Sequence, residues 1–177
     1  IMIKKIVRAA KAAACLCALP ALTSGQVTFE DVSAMRGIGP YQPALGMSSG
    51  VAAADYDDDG DIDIYVPTVV GKPDLVYRNR GDGTFEEGAA ALGVDSRDNN
   101  RGGLWIDYDG DGRLDLLKIQ DCSRLDPCTE VTTLRLARQT DAGVFEDVTA
   151  AAGLLAPLSP PHFQKQAGGL AAGDLNN

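Results

Sequence analysis

The sequence has few of the residues on which most catalytic sites and zinc centres depend. It contains one histidine, His162, and one tryptophan, Trp105, in 177 residues. A single histidine without an identified partner supports neither a catalytic triad nor a zinc site. Bases are also scarce, with 16 Lys and Arg against 25 Asp and Glu and no basic cluster. Because clustered cations are needed to hold a phosphate backbone, nucleic acid is excluded as a partner.

Long hydrophobic runs are lacking as well. The apolar run 12–22 is too short to span a bilayer. It follows four bases, Lys4, Lys5, Arg8 and Lys11, and precedes small residues at 21–25. This order predicts a signal peptide over residues 1–25, no membrane span, and a secreted, periplasmic or cell-surface protein. Removal of the four leader bases would leave 12 bases against 25 acids, a net charge of −13.

Cysteine is nearly absent from the rest of the chain. Outside this leader only Cys122 and Cys128 occur. An even pair across a short loop that contains Pro127 predicts a disulfide in an exported protein. The bridge would close an excursion between two strands. Because the closed loop is short, we expect it to stabilise the fold by about 2 kcal/mol or less.

Aspartate is abundant and is concentrated in nine-residue loops. Positions 1, 3, 5 and 9 are acidic, position 7 can offer its backbone carbonyl, and glycine at position 6 permits a sharp turn. So many oxygen ligands favour calcium over zinc or copper. The alternative is a set of solvated acidic turns without an ion. The predicted ligands are Asp55, Asp57, Asp59, Asp61 and Asp63 in the first loop, Asp107, Asp109, Asp111, Arg113 and Asp115 in the second, and Asp174 and Asn176 in the beginning of a third, with Asp61 and Arg113 acting through their carbonyls.

The residues after the loops argue against an EF-hand. An EF-hand needs a bidentate Glu at position 12 and then a helix, but position 12 is Val66 in the first loop and Lys118 in the second. The runs 62–66 and 114–119 are short and rich in apolar residues, which predicts strands. Dockerin-like or thrombospondin-like calcium modules are an alternative, although they space their loops more closely than the 52 residues between Asp55 and Asp107.

The chain repeats one phrase three times. Each copy pairs a phenylalanine with a glycine eight residues later, at Phe29 and Gly37, Phe85 and Gly93, and Phe145 and Gly153. Each period is expected to hold a glycine-led strand (50–54 or 102–106), the acidic loop, an exit strand, a third strand (74–79 or 131–138), a turn (81–83 or 140–143) and the Phe strand. One helical turn ending on a left-handed glycine should follow, at 89–93 and 149–153. Four strands every ~55 to 60 residues predict the blades of a β-propeller.

Residues 50–64 and 77–85 together resemble FG-GAP/VCBS repeats, as found in integrin α-subunit propellers and secreted bacterial proteins. The phrase order is most similar to the cartilage-acidic-protein-like branch. The resemblance covers residues 29–177 and implies a calcium-stabilised, all-β propeller of about seven four-stranded blades. The branch also carries an ASPIC/UnbV domain, which is not present here. About two and a half periods cannot close a ring of at least four blades, so we expect residues 26–177 to be the N-terminal part of a longer protein with further blades.

The resemblance implies a secreted calcium-binding module rather than an enzyme. Its partner would be an extracellular protein or glycan, and its metal would be structural. An alternative is that the chain is the non-catalytic N-terminal part of a larger secreted enzyme, such as a polysaccharide lyase.

Three other features invite functional interpretations. The segment 46–50, with Ser48 at its centre, matches a nucleophile elbow, but an acidic loop follows where that motif needs a helix. The tripeptide 80–82, Arg-Gly-Asp, is one that integrins recognise, yet it falls in a predicted hairpin turn. Trp105 occupies the position of Ala53 and Ala172 in the other copies, so we expect it to fill space between blades.

Overall fold

The computed structural model describes residues 27–39, 50–120 and 134–155. The chain divides into two units, Ile1–Asp31 and Val32–Asn177. In the first unit, residues 27–31 are exposed and form neither helix nor strand. The regular elements of the described residues all lie in the second unit. The predicted leader, residues 1–25, lies outside the described residues.

The described part of the second unit consists mainly of short strands. A 3₁₀ turn at Ala34–Arg36 precedes them, and one short helix lies between the fourth and fifth strands. The elements are β1 (Ala52–Ala54), β2 (Asp63–Val66), β3 (Leu75–Asn79), β4 (Phe85–Glu87), α1 (Ala89–Leu92), β5 (Asn100–Ile106), β6 (Asp115–Gln120), β7 (Leu134–Gln139) and β8 (Phe145–Asp147).

The strands form two antiparallel sheets of four, each in sequential order. We call the sheet β1-β2-β3-β4 blade 1 and the sheet β5-β6-β7-β8 blade 2. In blade 1, Ala54 pairs with Asp63 across the first acidic loop, and Asn79 pairs with Phe85 across the β3–β4 turn. Blade 2 repeats both pairings. The prediction of an all-β fold with four antiparallel strands per period is confirmed.

The predicted bounds of the first three strands of each period differ from the observed ones by one or two residues within the described residues, for example at β5, which begins at Asn100 rather than Gly102. At Gly50 a contact with blade 2 explains the difference. Gly50 was expected to begin the first strand, but β1 begins at Ala52. The N–H of Gly50 instead donates a hydrogen bond to the carbonyl of Arg101 in blade 2, at 2.8 Å. Asp74 was expected to begin the third strand, but β3 begins at Leu75. In blade 2 the third strand begins at Leu134, and residues 131–133 of the predicted strand lie outside the described residues.

A single helical turn follows the last strand of each blade, as the sequence predicts. Helix α1 ends at Gly93, whose φ of 79° is left-handed. After β8, the N–H of Leu154 donates to the carbonyl of Thr149 at 3.1 Å, and Gly153 has a φ of 72°. Each turn therefore closes on glycine, the residue that adopts this conformation without strain.

Aromatic side chains fill the seam between the two blades. Trp105 of β5 stacks on Tyr56, with ring centroids 5.4 Å apart and planes at 12°. Tyr65 of β2 meets the indole edge-on at 6.5 Å, and Phe145 of β8 contacts it at 6.0 Å. The prediction that Trp105 fills space between blades is confirmed.

A buried polar cluster extends the same seam. Asp74 is fully buried and accepts hydrogen bonds from the Tyr65 hydroxyl at 2.8 Å and the Asn100 amide at 2.6 Å. The Lys118 amine lies 3.7 Å from this carboxylate and donates to Ser96 at 2.7 Å. Burial lowers the pKa of Lys118, and the Asp74 carboxylate opposes that shift. Residues of both blades thus share one carboxylate.

Candidate metal centres

Each acidic loop is folded by its own position-1 aspartate. The Asp55 carboxylate accepts the backbone N–H groups of Asp59 and Gly60, at 3.0 and 2.9 Å. In the second loop the Asp107 carboxylate accepts those of Gly110, Asp111 and Gly112, at 2.8 to 3.1 Å. The first residue of each loop is therefore a local anchor as well as a candidate ligand.

Two positions of each loop are left-handed, and the sequence analysis identified only one of them. Gly60 and Gly112, at position 6, have φ values of 93° and 87°. Position 4 is also left-handed, at 58° for Asp58 and 76° for Gly110. Aspartate tolerates this conformation better than most residues, while glycine adopts it freely. The glycine in the second copy was the available sequence signal for position 4.

The position-9 aspartates tie each loop to the neighbouring strands. Asp63 and Asp115 are fully buried. Asp63 accepts the N–H of Tyr56 at 3.2 Å and that of Asn79 at 2.7 Å. Asp115 accepts the N–H of Tyr108 at 3.0 Å and that of Gln139 at 2.8 Å. Because each carboxylate binds the last residue of the third strand, it fixes where that strand ends.

Burial also changes the electrostatics of position 9. It raises the pKa of both Asp63 and Asp115 above the usual value, while the backbone N–H groups that they accept oppose the shift. The nearby carboxylates at positions 3 and 5 act in the same direction as burial. The local potential is therefore negative at both loops, and a cation would relieve it.

The structure brings together three of the predicted side-chain ligands in each loop. Oxygens of positions 1, 3 and 9 lie within 4.8 Å of one another. These groups are Asp55, Asp57 and Asp63 in the first loop and Asp107, Asp109 and Asp115 in the second. In addition, Asp57 Oδ1 is buried without a hydrogen-bond partner among the described residues. Hard carboxylate oxygens at this separation fit a calcium ion in kind and spacing.

Position 5 does not join either cluster. Asp59 binds the Arg78 guanidinium at 2.9 Å, and Asp111 forms an ion pair with Arg113. The Arg113 side chain also reaches Asp141 at 3.0 Å. Calcium ligation by the backbone carbonyls of Asp61 and Arg113 stays a prediction. The third predicted loop, with Asp174 and Asn176, lies outside the described residues.

Sequence reasoning missed the arginines that accompany the loops. Arg78 and Arg138 occupy the same place, one residue before the end of the third strand in each blade. Arg78 Nε lies 2.5 Å from Asp57 Oδ2, and Arg138 lies 3.9 Å from Asp109. The signal was present in the sequence, because each arginine precedes the phenylalanine of its repeat by seven residues, at 78 and 85 and at 138 and 145.

The remaining motifs contribute no site within the described residues. Arg80 forms an ion pair with Glu86 at 2.8 Å, and Asp82 accepts the N–H of Thr84 at 2.9 Å, so Arg-Gly-Asp folds into its own turn. Ser48, His162 and the cysteine pair 122 and 128 lie outside the described residues. Across the described ranges there is no helix of sufficient length and apolarity to cross a membrane.

Comparison with known proteins agrees with this geometry. Residues 69–117, from the segment after β2 to the first half of β6, match the model of the FG-GAP-like repeat. Over 97 residues the chain is 33% identical to cartilage acidic protein 1 of Homo sapiens and 31% identical to that of Mus musculus. The corresponding Xenopus tropicalis protein is 29% identical over the same length. Each match covers 54% of this chain and 14% of the relative, so the chain matches about one seventh of those proteins' length.

Proposed function

Because the chain is an FG-GAP repeat protein, we propose that it is a calcium-binding, non-catalytic module of an exported β-propeller. Residues 1–25 would be its signal peptide and residues 26–177 its propeller repeats. Further blades would complete the ring, because each of the two four-stranded sheets packs on the other through one face only and leaves its opposite face for a neighbouring blade. Its partner would be a protein or glycan outside the cell.

The observation that carries this proposal is the grouping of three carboxylates at the same loop positions in both blades. Three like charges within a few ångströms repel one another, and a bound cation converts that repulsion into attraction. Asp57 and Asp109 would be ligands at position 3, with Asp59 and Asp111 joining through their second oxygens. The ion supplies charge neutralisation and holds the loop together, while the aspartates supply the oxygens.

A structural role for the metal follows from the fold around it. The position-1 and position-9 carboxylates already accept backbone N–H groups, so the loops would join strand ends rather than present an open coordination site. An ion bound only by the folded chain stabilises it by about 2.7 kcal/mol per site at a hundredfold excess over the dissociation constant.

A ligand could sit beside the loops. A groove of about 710 Å³ lies between the first loop and blade 2. Tyr56 and Ile62 line one side, and Leu114 and Asp141 line the other. A concave site that combines apolar side chains with a few polar groups is typical of pockets for small ligands, a class that includes a sugar residue of a glycan.

Thermal melts of the purified chain test the proposal. The midpoint should rise when millimolar calcium replaces chelator, and magnesium should have a smaller effect because the loops resemble flexible calcium sites. An unchanged midpoint, together with no saturable calcium binding in calorimetry, would show that the loops are acidic turns without an ion.

A further inference from the structure

Arg78 contacts two carboxylates of the first loop at once. Its Nε donates to Asp57 Oδ2 at 2.5 Å, and its NH2 donates to Asp59 Oδ2 at 2.9 Å. The guanidinium comes from β3, 21 residues from Asp57 along the chain. The planar fork of arginine matches such an arrangement of oxygens, which a lysine amine cannot reproduce.

The fork leaves an oxygen available on each carboxylate. Asp57 Oδ1 has no hydrogen-bond partner among the described residues although it is buried. Asp59 Oδ1 accepts the N–H of Asp61 at 3.1 Å and retains a second lone pair. Arg78 therefore binds one oxygen of each carboxylate and leaves the other oxygen without a bond to the guanidinium.

We propose that Arg78 is a positioning residue for the first calcium loop: it orients Asp57, which belongs to the carboxylate cluster, and its second contact, with Asp59, fixes the guanidinium before an ion arrives. This inference rests on the proposed calcium function. Two free carboxylates would have to lose side-chain entropy when they bind an ion, whereas carboxylates already held by a guanidinium lose less. Partners that orient metal ligands are typically worth about 10-fold to 100-fold in metal affinity.

The positive charge of Arg78 acts against this gain. A guanidinium near a divalent cation repels it, but the Arg78 side chain is 50% exposed. Solvent and salt screen charges at such a position and so weaken the repulsion of an ion as well as the ion pairs, while the two direct hydrogen bonds, at 2.5 and 2.9 Å, still fix the geometry of the contact. The orienting effect should therefore exceed the repulsion at physiological ionic strength.

The second blade lacks this fork. Arg138, at the matching place in β7, approaches Asp109 only to 3.9 Å, and Asp111 pairs with Arg113 instead. Positions 3 and 5 of the second loop are consequently held by different residues. The first loop should bind calcium more tightly than the second.

Calcium titration calorimetry on chains carrying Asp109→Ala, which removes a ligand oxygen of the second loop, isolates the first site. In that background we compare the parent with Arg78→Met and Arg78→Lys. Both variants should raise the calcium Kd by about 10-fold or more. Arg80→Met is the matched control, since Arg80 lies two residues away and pairs with Glu86 rather than with the loop. Its Kd should equal that of the parent.

Each other outcome overturns the inference. An unchanged or lower Kd in Arg78→Met means that Arg78 does not orient the ligands, and a parental Kd in Arg78→Lys means that charge alone matters. Arg78→Gln serves as a further variant if circular dichroism shows that Arg78→Met is unfolded in chelator. A parent that binds no calcium refutes the proposed function and this inference together. If the parent binds calcium and the Arg78 variants have the same Kd, the inference alone is refuted.

Discussion

Tyr56 of the first acidic loop lies flat against Trp105 of blade 2, with ring centroids 5.4 Å apart. Tyr56 directly follows Asp55, a candidate calcium ligand, and its N–H is held by Asp63, another. Tyr56 therefore belongs both to the first loop and to the seam between the blades. A conformational change in the loop should alter the environment of Trp105, the only tryptophan of the chain.

The first prediction concerns Trp105. Trp105→Ala should destabilise the chain by about 3 to 5 kcal/mol, because it removes a buried aromatic side chain between two sheets. Trp105→Phe should cost less, since the indole Nε1 makes no hydrogen bond among the described residues. Denaturant unfolding monitored by circular dichroism measures both. Equal losses for the two variants would contradict a packing role.

The second prediction separates metal binding from loop architecture. Asp109→Ala should leave stability in chelator nearly unchanged, because the ion pair between Asp109 and Arg138 is a weak contact at 3.9 Å. It should nevertheless remove the second loop's calcium response. Asp115→Ala should remove that response and also cost about 2 kcal/mol in chelator, since the buried N–H of Gln139 and the partly buried N–H of Tyr108 lose their acceptor.

Denaturant titrations of these two variants, with calcium and with chelator, provide the measurement. Glu146→Gln is the control, because Glu146 is an exposed acid on β8 outside both loops. If Asp109→Ala keeps the full calcium response of the parent, the second loop does not bind the ion through position 3.

The acidic loops show how far sequence reasoning extends. The types and spacing of Asp55, Asp57 and Asp63 were sufficient to predict that these carboxylates lie close together, because a tight nine-residue loop keeps its side chains near one another. Their link to Arg78 was not predictable in the same way. It depends on the register of β2 against β3, which places Ile64 opposite Tyr77 and so brings Arg78 beside the loop.

The seam between blades was predicted only in part. Trp105 stood out because the other copies carry alanine there. Asp74 and Lys118 gave no such signal, since each replaces an apolar residue of the other copy, Leu134 and Val66, and a lone polar substitution does not identify its partner. Only the packing of one blade on the next brings these two charges to 3.7 Å.

The third prediction tests this pair. Asp74→Ala should cost about 3 to 5 kcal/mol, because it leaves the buried Lys118 amine without its carboxylate and removes the acceptor of several hydrogen bonds. Lys118→Met should cost less than Asp74→Ala, since Asp74 keeps those hydrogen bonds although its buried carboxylate loses its cation.

The loss in Asp74→Ala should also depend on pH. Burial lowers the pKa of Lys118 in the folded chain, and removal of Asp74 takes away a carboxylate that opposes this shift. Between that lowered pKa and the usual lysine value near 10.4, the unfolded chain binds more protons, so stability rises with pH. Urea titrations between neutral and alkaline pH should show a rise in Asp74→Ala that is absent when Lys118→Met is added.

The last prediction concerns the contact between one repeat and the next. A β-carbon built on Gly93 would lie 3.1 Å from the carbonyl oxygen of Phe145, and Gly37 stands in the same relation to Phe85. Gly93→Ala should therefore cost about 2 to 3 kcal/mol, since a left-handed alanine alone costs about 1 to 2 kcal/mol. Gly153→Ala carries the same strain with φ at 72°, but its β-carbon meets no atom within 4 Å among the described residues, so it should cost about 1 kcal/mol. Gly88→Ala, with a φ of −138° and open space, should be nearly neutral.

Denaturant midpoints should therefore be lowest for Gly93→Ala, higher for Gly153→Ala and highest for Gly88→Ala. If Gly93→Ala costs no more than Gly153→Ala, the glycine is required for its backbone conformation alone, and its approach to Phe145 does not help to hold the two blades together.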